Sequence, residues 1–92
     1  MGLKTKAGRE IIRVTRKLVQ GYYKARQKKF TQAKKDFDVN DIQILQILEA
    51  IEKGWDKLDT LPHDYFIAAA KSIGLSEQVG NGVYKVIEFV FF

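Results

Sequence analysis

From Gly8 to Asp36 the chain has no proline, and its apolar residues recur at helical spacing: Ile11, Val14, Leu18, Tyr22 and Ala25 form one stripe, flanked by Ile12, Val19 and Ala33. At about 100° per residue, Arg9, Arg13, Arg16, Lys17, Gln20, Lys24, Gln27, Lys28, Thr31 and Lys35 gather on the opposite side. The pattern predicts one two-faced helix over residues 8–36, about 43 Å long at a rise of about 1.5 Å per residue. Gly21 is the place where it would bend, since glycine inside a helix costs on the order of 1 kcal/mol relative to alanine. Arg26 and Lys29 intrude on the apolar side, so the second half of this helix is expected to pack less tightly.

The stretch Asp38-Val39-Asn40-Asp41 reads as the start of a second helix. Asn40 is placed to cap it, Gln43 stands three residues on as in a capping box, and Asp41 favours the positive end of the dipole. Ile44, Leu45, Ile47, Leu48 and Ile51 are apolar around most of the circumference, which predicts a central core helix ending near Lys53, with Gly54 as its left-handed terminator and Trp55 over its end. Thr60-Leu61-Pro62 opens a third helix and Gly74 stops it. Tyr65, Phe66, Ala69 and Ile73 face inward, and Ala68, Ala69 and Ala70 permit close approach by a neighbouring helix.

Residues 75–92 fit two patterns. Gly80-Asn81-Gly82 is a turn signal, and the run from Val83 to Phe92 is dense in β-branched and aromatic residues. A hairpin of Leu75–Val79 with Val83–Phe89 is the preferred reading. Its alternative is a fourth helix after Ser76, because Val79, Val83, Val86, Ile87 and Val90 also recur at helical spacing; two glycines would then sit in its first turns. The expected fold is therefore mainly α, three helices plus a C-terminal β-hairpin in one domain over 1–92, with an all-α four-helix domain as the alternative.

Charge changes this picture more than composition does. Twelve of the sixteen Lys and Arg lie in residues 1–35 beside a single acid, Glu10, so this part carries about +11 and residues 36–92 about −6, making up the net +5. Such asymmetry points to a polyanionic partner, and cations spaced three and four apart on a helix form a row that follows a phosphate backbone. Arg9, Arg13, Arg16, Lys17, Lys24, Lys28 and Lys35 are the candidate phosphate contacts. Tyr23 and Phe30 lie at the edge of the basic run and are candidate stacking or oligomer contacts, whereas Tyr22 aligns with Ile11 and Leu18 and reads as core.

Other chemistries find little footing. There is no cysteine and one histidine, so neither a disulfide framework nor a multi-histidine metal site is expected. His63 and Asp64 are adjacent, and neighbours in a helix do not face each other. Asp36, Asp38 and Asp41 match neither a calcium loop nor a paired-carboxylate site and are better explained by capping. No enzymatic activity and no cofactor are expected. The chain holds no apolar run of membrane-spanning length, and its start lacks the apolar segment of a secretory signal, which points to the cytoplasm.

Read as helix, glycine stop, strand, glycine turn, strand, the residues from His63 to Val86 resemble the last helix and wing of winged-helix DNA-binding domains, with Gly82-Val83-Tyr84-Lys85 similar to the start of the return strand. That resemblance implies a DNA-facing side carrying Lys71, Asn81 and Lys85, and favours DNA over RNA. In a second register, Ala70-Lys71-Ser72-Ile73-Gly74-Leu75-Ser76-Glu77 resembles the first helix and turn of a helix-turn-helix, making Glu77 onward the reading helix. The expected function is that of a small nucleic-acid-binding protein acting through its basic helix, a regulator or accessory factor. The alternative is an inhibitor or immunity-type module that docks the same helix on an acidic protein. A strand edge ending in Phe89, Phe91 and Phe92 would further invite a homodimer.

Overall fold

The computed structural model describes residues 7–55 and 61–91. Within them the chain folds into α1 (Ala7–Val19), α2 (Lys24–Asp36), α3 (Asp41–Gly54), α4 (His63–Ser72) and α5 (Glu77–Phe91). No strand element occurs among the described residues. The expected hairpin, and with it the winged-helix-like architecture, is thereby overturned, and the all-helical alternative is the observed class. Thr60, expected at the start of the third helix, lies outside the described residues.

The long basic helix also proves to be two. Gly21 takes a left-handed backbone (φ 84°), the Gly21 N–H donates to the Leu18 carbonyl at 3.0 Å, and the Tyr22 N–H donates to that of Lys17 at 2.9 Å. These paired bonds satisfy the last carbonyls of α1 and turn the chain. The same device ends α4, where Gly74 (φ 80°) and Leu75 bond back to Lys71 and Ala70. It also ends α2, where Asp38 holds φ 53° and the Val39 N–H reaches the Lys34 carbonyl at 3.1 Å. Because the turn at Gly21 resets the helical phase, the predicted stripe holds only through Leu18. Ile11, Ile12, Val14 and Leu18 are buried, Tyr22 and Ala25 are exposed, and α2 instead buries Phe30 and Ala33.

α3 starts as its sequence predicts. The Gln43 N–H donates to Asn40 Oδ1 at 2.8 Å and the Asn40 N–H to Gln43 Oε1 at 3.0 Å, a complete capping box. Ile44, Ile47, Leu48 and Ile51 are buried, while Leu45 turns outward beside Ile42. Gly54, expected as the left-handed terminator, is instead the last helical residue, and Trp55 leaves in an extended conformation with its ring stacked on Tyr65, centroids 5.1 Å apart.

α5 is the central element, packed most extensively against α4 and α2 and also touching α3 and α1. Ser76 starts it, its hydroxyl accepting from the Val79 N–H at 3.3 Å. Gly80 and Gly82, expected in a turn, are contact points inside the helix. A Cβ on Gly80 would stand 2.6 Å from the Phe66 carbonyl oxygen and 3.0 Å from Ala70 Cβ; one on Gly82 would stand 2.8 Å from the Phe37 carbonyl oxygen and from Val39 Cγ1. The small face predicted on α4 thus meets a small face on α5, and backbone packs on backbone. Tyr84 lies edge-on to Phe66 at 5.3 Å in the same interface, and burial pushes its phenol pKa up, Glu88 adding to the shift.

Two glycine replacements separate these roles. Gly54→Ala should raise stability by up to about 1 kcal/mol, because Gly54 is helical and nothing stands within 4 Å of the added methyl. Gly80→Ala should destabilise despite its better helix propensity, since overpacking a fixed backbone contact costs about 1–3 kcal/mol. Urea unfolding of both variants checks this, and a more stable Gly80→Ala protein would contradict the close approach of α4 and α5.

Candidate nucleic-acid interface

α2 reads KARQKKFTQAKKD, too polar to bury more than one narrow stripe. Phe30 and Ala33 hold it against the core, which leaves Lys24, Lys28, Thr31 and Lys35 exposed at steps of four, three and four along its outer side. That row covers about 16 Å of helix at about 1.5 Å per residue. Lys29 is exposed beside it, and Arg9 is exposed on α1 while Lys17 is half-buried. No ion-pair partner is found for these six cations among the described residues. The single basic face expected over residues 8–36 is thus two rows, separated by the corner at Gly21.

Other cations of the basic segment are occupied by the fold. Arg13 hydrogen-bonds Glu10 on its own helix. That bond holds the Glu10 carboxyl below the usual carboxylate range and, with a smaller part from Tyr23, raises the Arg13 pKa. Arg16 pairs with Glu52 of α3. Lys34 pairs with Asp41 at 2.7 Å and lies 4.6 Å from the Phe30 ring centroid, joining α2 to the start of α3.

Arg26 has the most specific of these tasks. Its guanidinium donates to the Val90 carbonyl at 2.7 Å and lies 5.2 Å from the Phe91 ring centroid. Val90 is in the last turn of α5, which has no basic residue of its own. A residue of α2 therefore satisfies a free carbonyl and meets the negative end of the α5 dipole. The signal in the sequence is the cation intruding on an apolar stripe: such a residue needs a partner wherever the stripe is buried.

The residues drawn from the winged-helix resemblance lie on other helices. Lys71 is exposed on α4, Lys85 is exposed on α5 with Glu88 3.9 Å away, and Asn81 lies 2.7 Å from His63 Nε2. Among the described residues there is no wing for Asn81 to tip. α4, the turn through Ser76 and α5 occupy the positions of the helix-turn-helix register, yet α5 is sheathed by other helices and exposes chiefly Glu77, Gln78, Lys85 and Phe89. The strand edge expected to make a dimer disappears with the hairpin: Phe91 packs on the core under Arg26, Phe89 is 45% exposed, and Phe92 lies outside the described residues. The aromatic assignments reverse as well, since Phe30 is fully buried, Tyr23 packs against the core and Tyr22 is exposed.

Among the described residues no group of three or more His, Asp or Glu side chains converges as metal ligands, and no helix is long and apolar enough to cross a membrane. No family model, curated protein or solved structure matches the chain. What distinguishes this surface is therefore the sorting of its cations into those that hold the fold and those left to solvent.

That sorting is measurable. Arg26→Gln should lower stability by about 1–2 kcal/mol, a charge-assisted bond discounted for partial exposure. Lys28→Gln should stay within about 0.5 kcal/mol of the parent, as surface replacements do. Equal losses in the two variants by urea unfolding would contradict the division.

Proposed function

We propose that this protein is a small, non-enzymatic nucleic-acid-binding protein of the cytoplasm that holds the phosphate backbone with the outer side of α2 and the neighbouring cations of α1. One observation carries the reading. Apart from Arg26, which is bound to the end of α5, the first half of α2 holds Lys24, Lys28 and Lys29, with no acid in its first turn and no side-chain cap from Tyr23. A cation in the first turn, as Lys24 is, opposes the helix dipole by about 0.3–1 kcal/mol at an exposed site, and the like charge of Lys28 one turn on adds to the cost. α3, α4 and α5 each place an acid in their first turn. A folding requirement would favour the same on α2, so its charge is better explained by an external anion.

A phosphate chain is the anion that suits a row rather than a point. Lys24, Lys28 and Lys35 each neutralise a charge along one line, Thr31 adds a hydroxyl between them, and release of condensed counterions supplies the free energy. Backbone contact of this kind fixes position and carries no base sequence by itself.

The test uses the conflict between stability and binding. Lys24→Glu should raise the unfolding temperature by a few degrees, since about 1 kcal/mol is worth about 4–8 °C in a domain of this size, while weakening retention on nucleic acid. Replacing Lys24, Lys28 and Lys35 together by Gln should flatten the slope of log K against log salt by about 0.9 for each duplex phosphate that the variant no longer neutralises. An unchanged slope in the triple variant, measured by fluorescence anisotropy across a salt series, would sink the assignment. Failure of the parent protein to bind any nucleic acid would leave an acidic protein surface as the counterpart of α2.

A further inference from the structure

Three helices of this chain end in the same backbone device, and they differ in what the residue after each left-handed position does. In that motif the following residue normally folds an apolar side chain back onto the helix it has just left. Val39 does so after Asp38, at 7% exposure, and Leu75 does so after Gly74, packed against the core. Tyr22, after Gly21, is the exception. Among the described residues it is the most exposed of the large apolar ones, at 72%. A tyrosine at this position has the means to cover the end of α1 and does not.

The backbone beneath it is nevertheless fixed. The Leu18 carbonyl accepts both from the Gly21 N–H at 3.0 Å and from Gln27 Nε2 at 3.1 Å, so a side chain from the first turn of α2 ties that helix to the end of α1. The Tyr22 N–H is anchored on the Lys17 carbonyl at 2.9 Å. The ring is thus carried by a braced corner, and its ordering at a binding surface requires little further loss of backbone freedom.

The electrostatic setting selects the occupant. No Asp or Glu lies between Glu10 and Asp36 in the sequence. Lys17 precedes the corner, Lys24 follows it two residues after Tyr22, and the exposed row of α2 begins there. An aromatic ring held out to solvent among cations matches what a nucleic acid offers when its bases are unpaired: a π-face to stack on and phosphates on either side. In a duplex the base faces are covered by their neighbours and are closed to such a ring.

We infer that Tyr22 is a base-stacking residue and that the ligand class is single-stranded nucleic acid, or a segment with unpaired bases, its phosphates running on to Lys24 and Lys28. This rests on the backbone contact proposed for α2 and adds to it the preference for unpaired bases. The experiment measures binding of the intact protein to a labelled oligothymidylate, to an abasic strand of equal length and to a hairpin duplex of equal phosphate number. Tyr22→Ala should weaken oligothymidylate binding about tenfold, within the roughly 5–150-fold range of one stacked base. It should leave the salt slope, the duplex and the abasic strand unchanged.

Tyr22→Phe should bind like the parent, and Tyr22→Leu, which keeps apolar bulk without a π-face, should behave like Tyr22→Ala. All three should unfold at the parent temperature, because the ring supports no packing. Tyr22→Ala binding oligothymidylate as the parent does, or losing affinity equally for the abasic strand, overturns the stacking role. Steep salt dependence that survives such a result leaves the backbone contact standing, whereas failure of the parent on all three ligands overturns both.

Discussion

Two missing side chains set the geometry of this protein. At Gly80 and Gly82 the backbone of α5 lies so close to α4 and to the turn after α2 that a single methyl would collide with a carbonyl oxygen on either side. Close approach of this kind lets a short domain form one continuous core, because the flanking Val83, Val86, Ile87 and Val90 are buried together with Phe66 and with Ile44, Ile47 and Leu48 of α3. It also makes α5 the axis on which α2 is laid. α2 needs little burial of its own to stay there, since Phe30 and Ala33 enter the core while Arg26 and Lys34 bind it at either end, to α5 and α3.

Holding α2 in this way frees its outer side from any structural duty. The four fold-bound cations, Arg13, Arg16, Arg26 and Lys34, each have a named partner from another turn or helix, and those partners account for much of the basic segment's internal neutralisation. What is left includes Lys24, at the positive end of the α2 dipole, and Lys28 one turn on, a pair of like charges that the helix would be more stable without. Retention of such a feature at the expense of stability is the usual mark of a binding surface.

Much of this architecture is legible in the sequence alone. The Asn40 and Gln43 capping box, the stop at Gly74, the small face of α4 and the exposed row from Lys24 to Lys35 all follow from side-chain chemistry that acts within one or two turns. What is not legible depends on partners distant in sequence. Gly80-Asn81-Gly82 carries the signature of a turn, and only the presence of α4 and the Phe37–Val39 turn makes the absence of Cβ a packing requirement. Gly21 signals a bend, but whether a helical glycine bends or ends a helix is decided by the next residues, and here the change of phase moves Phe30 inward and Tyr22 outward. The outcome at Gly54 has the opposite origin, because a glycine at a helix end need not leave the right-handed region when the following residue, Trp55, finds a stacking partner in Tyr65.

The corner at Gly21 links the fold to the proposed binding surface. Were residues 8–36 one helix, the basic row would be a straight rod and Tyr22 would be buried beside Leu18; a rod of that kind tracks a duplex groove by charge alone. The left-handed glycine breaks the rod, turns the buried stripe from Leu18 to Phe30, and sets one aromatic ring at the break with cations before and after it. On the proposed reading, a surface so divided would meet phosphates in two short stretches, with the Tyr22 ring between them. Bases that can leave their stack would suit that arrangement better than a regular double helix, because a flexible strand can place a phosphate on each side of the ring and a base on it without the energy of deforming a duplex.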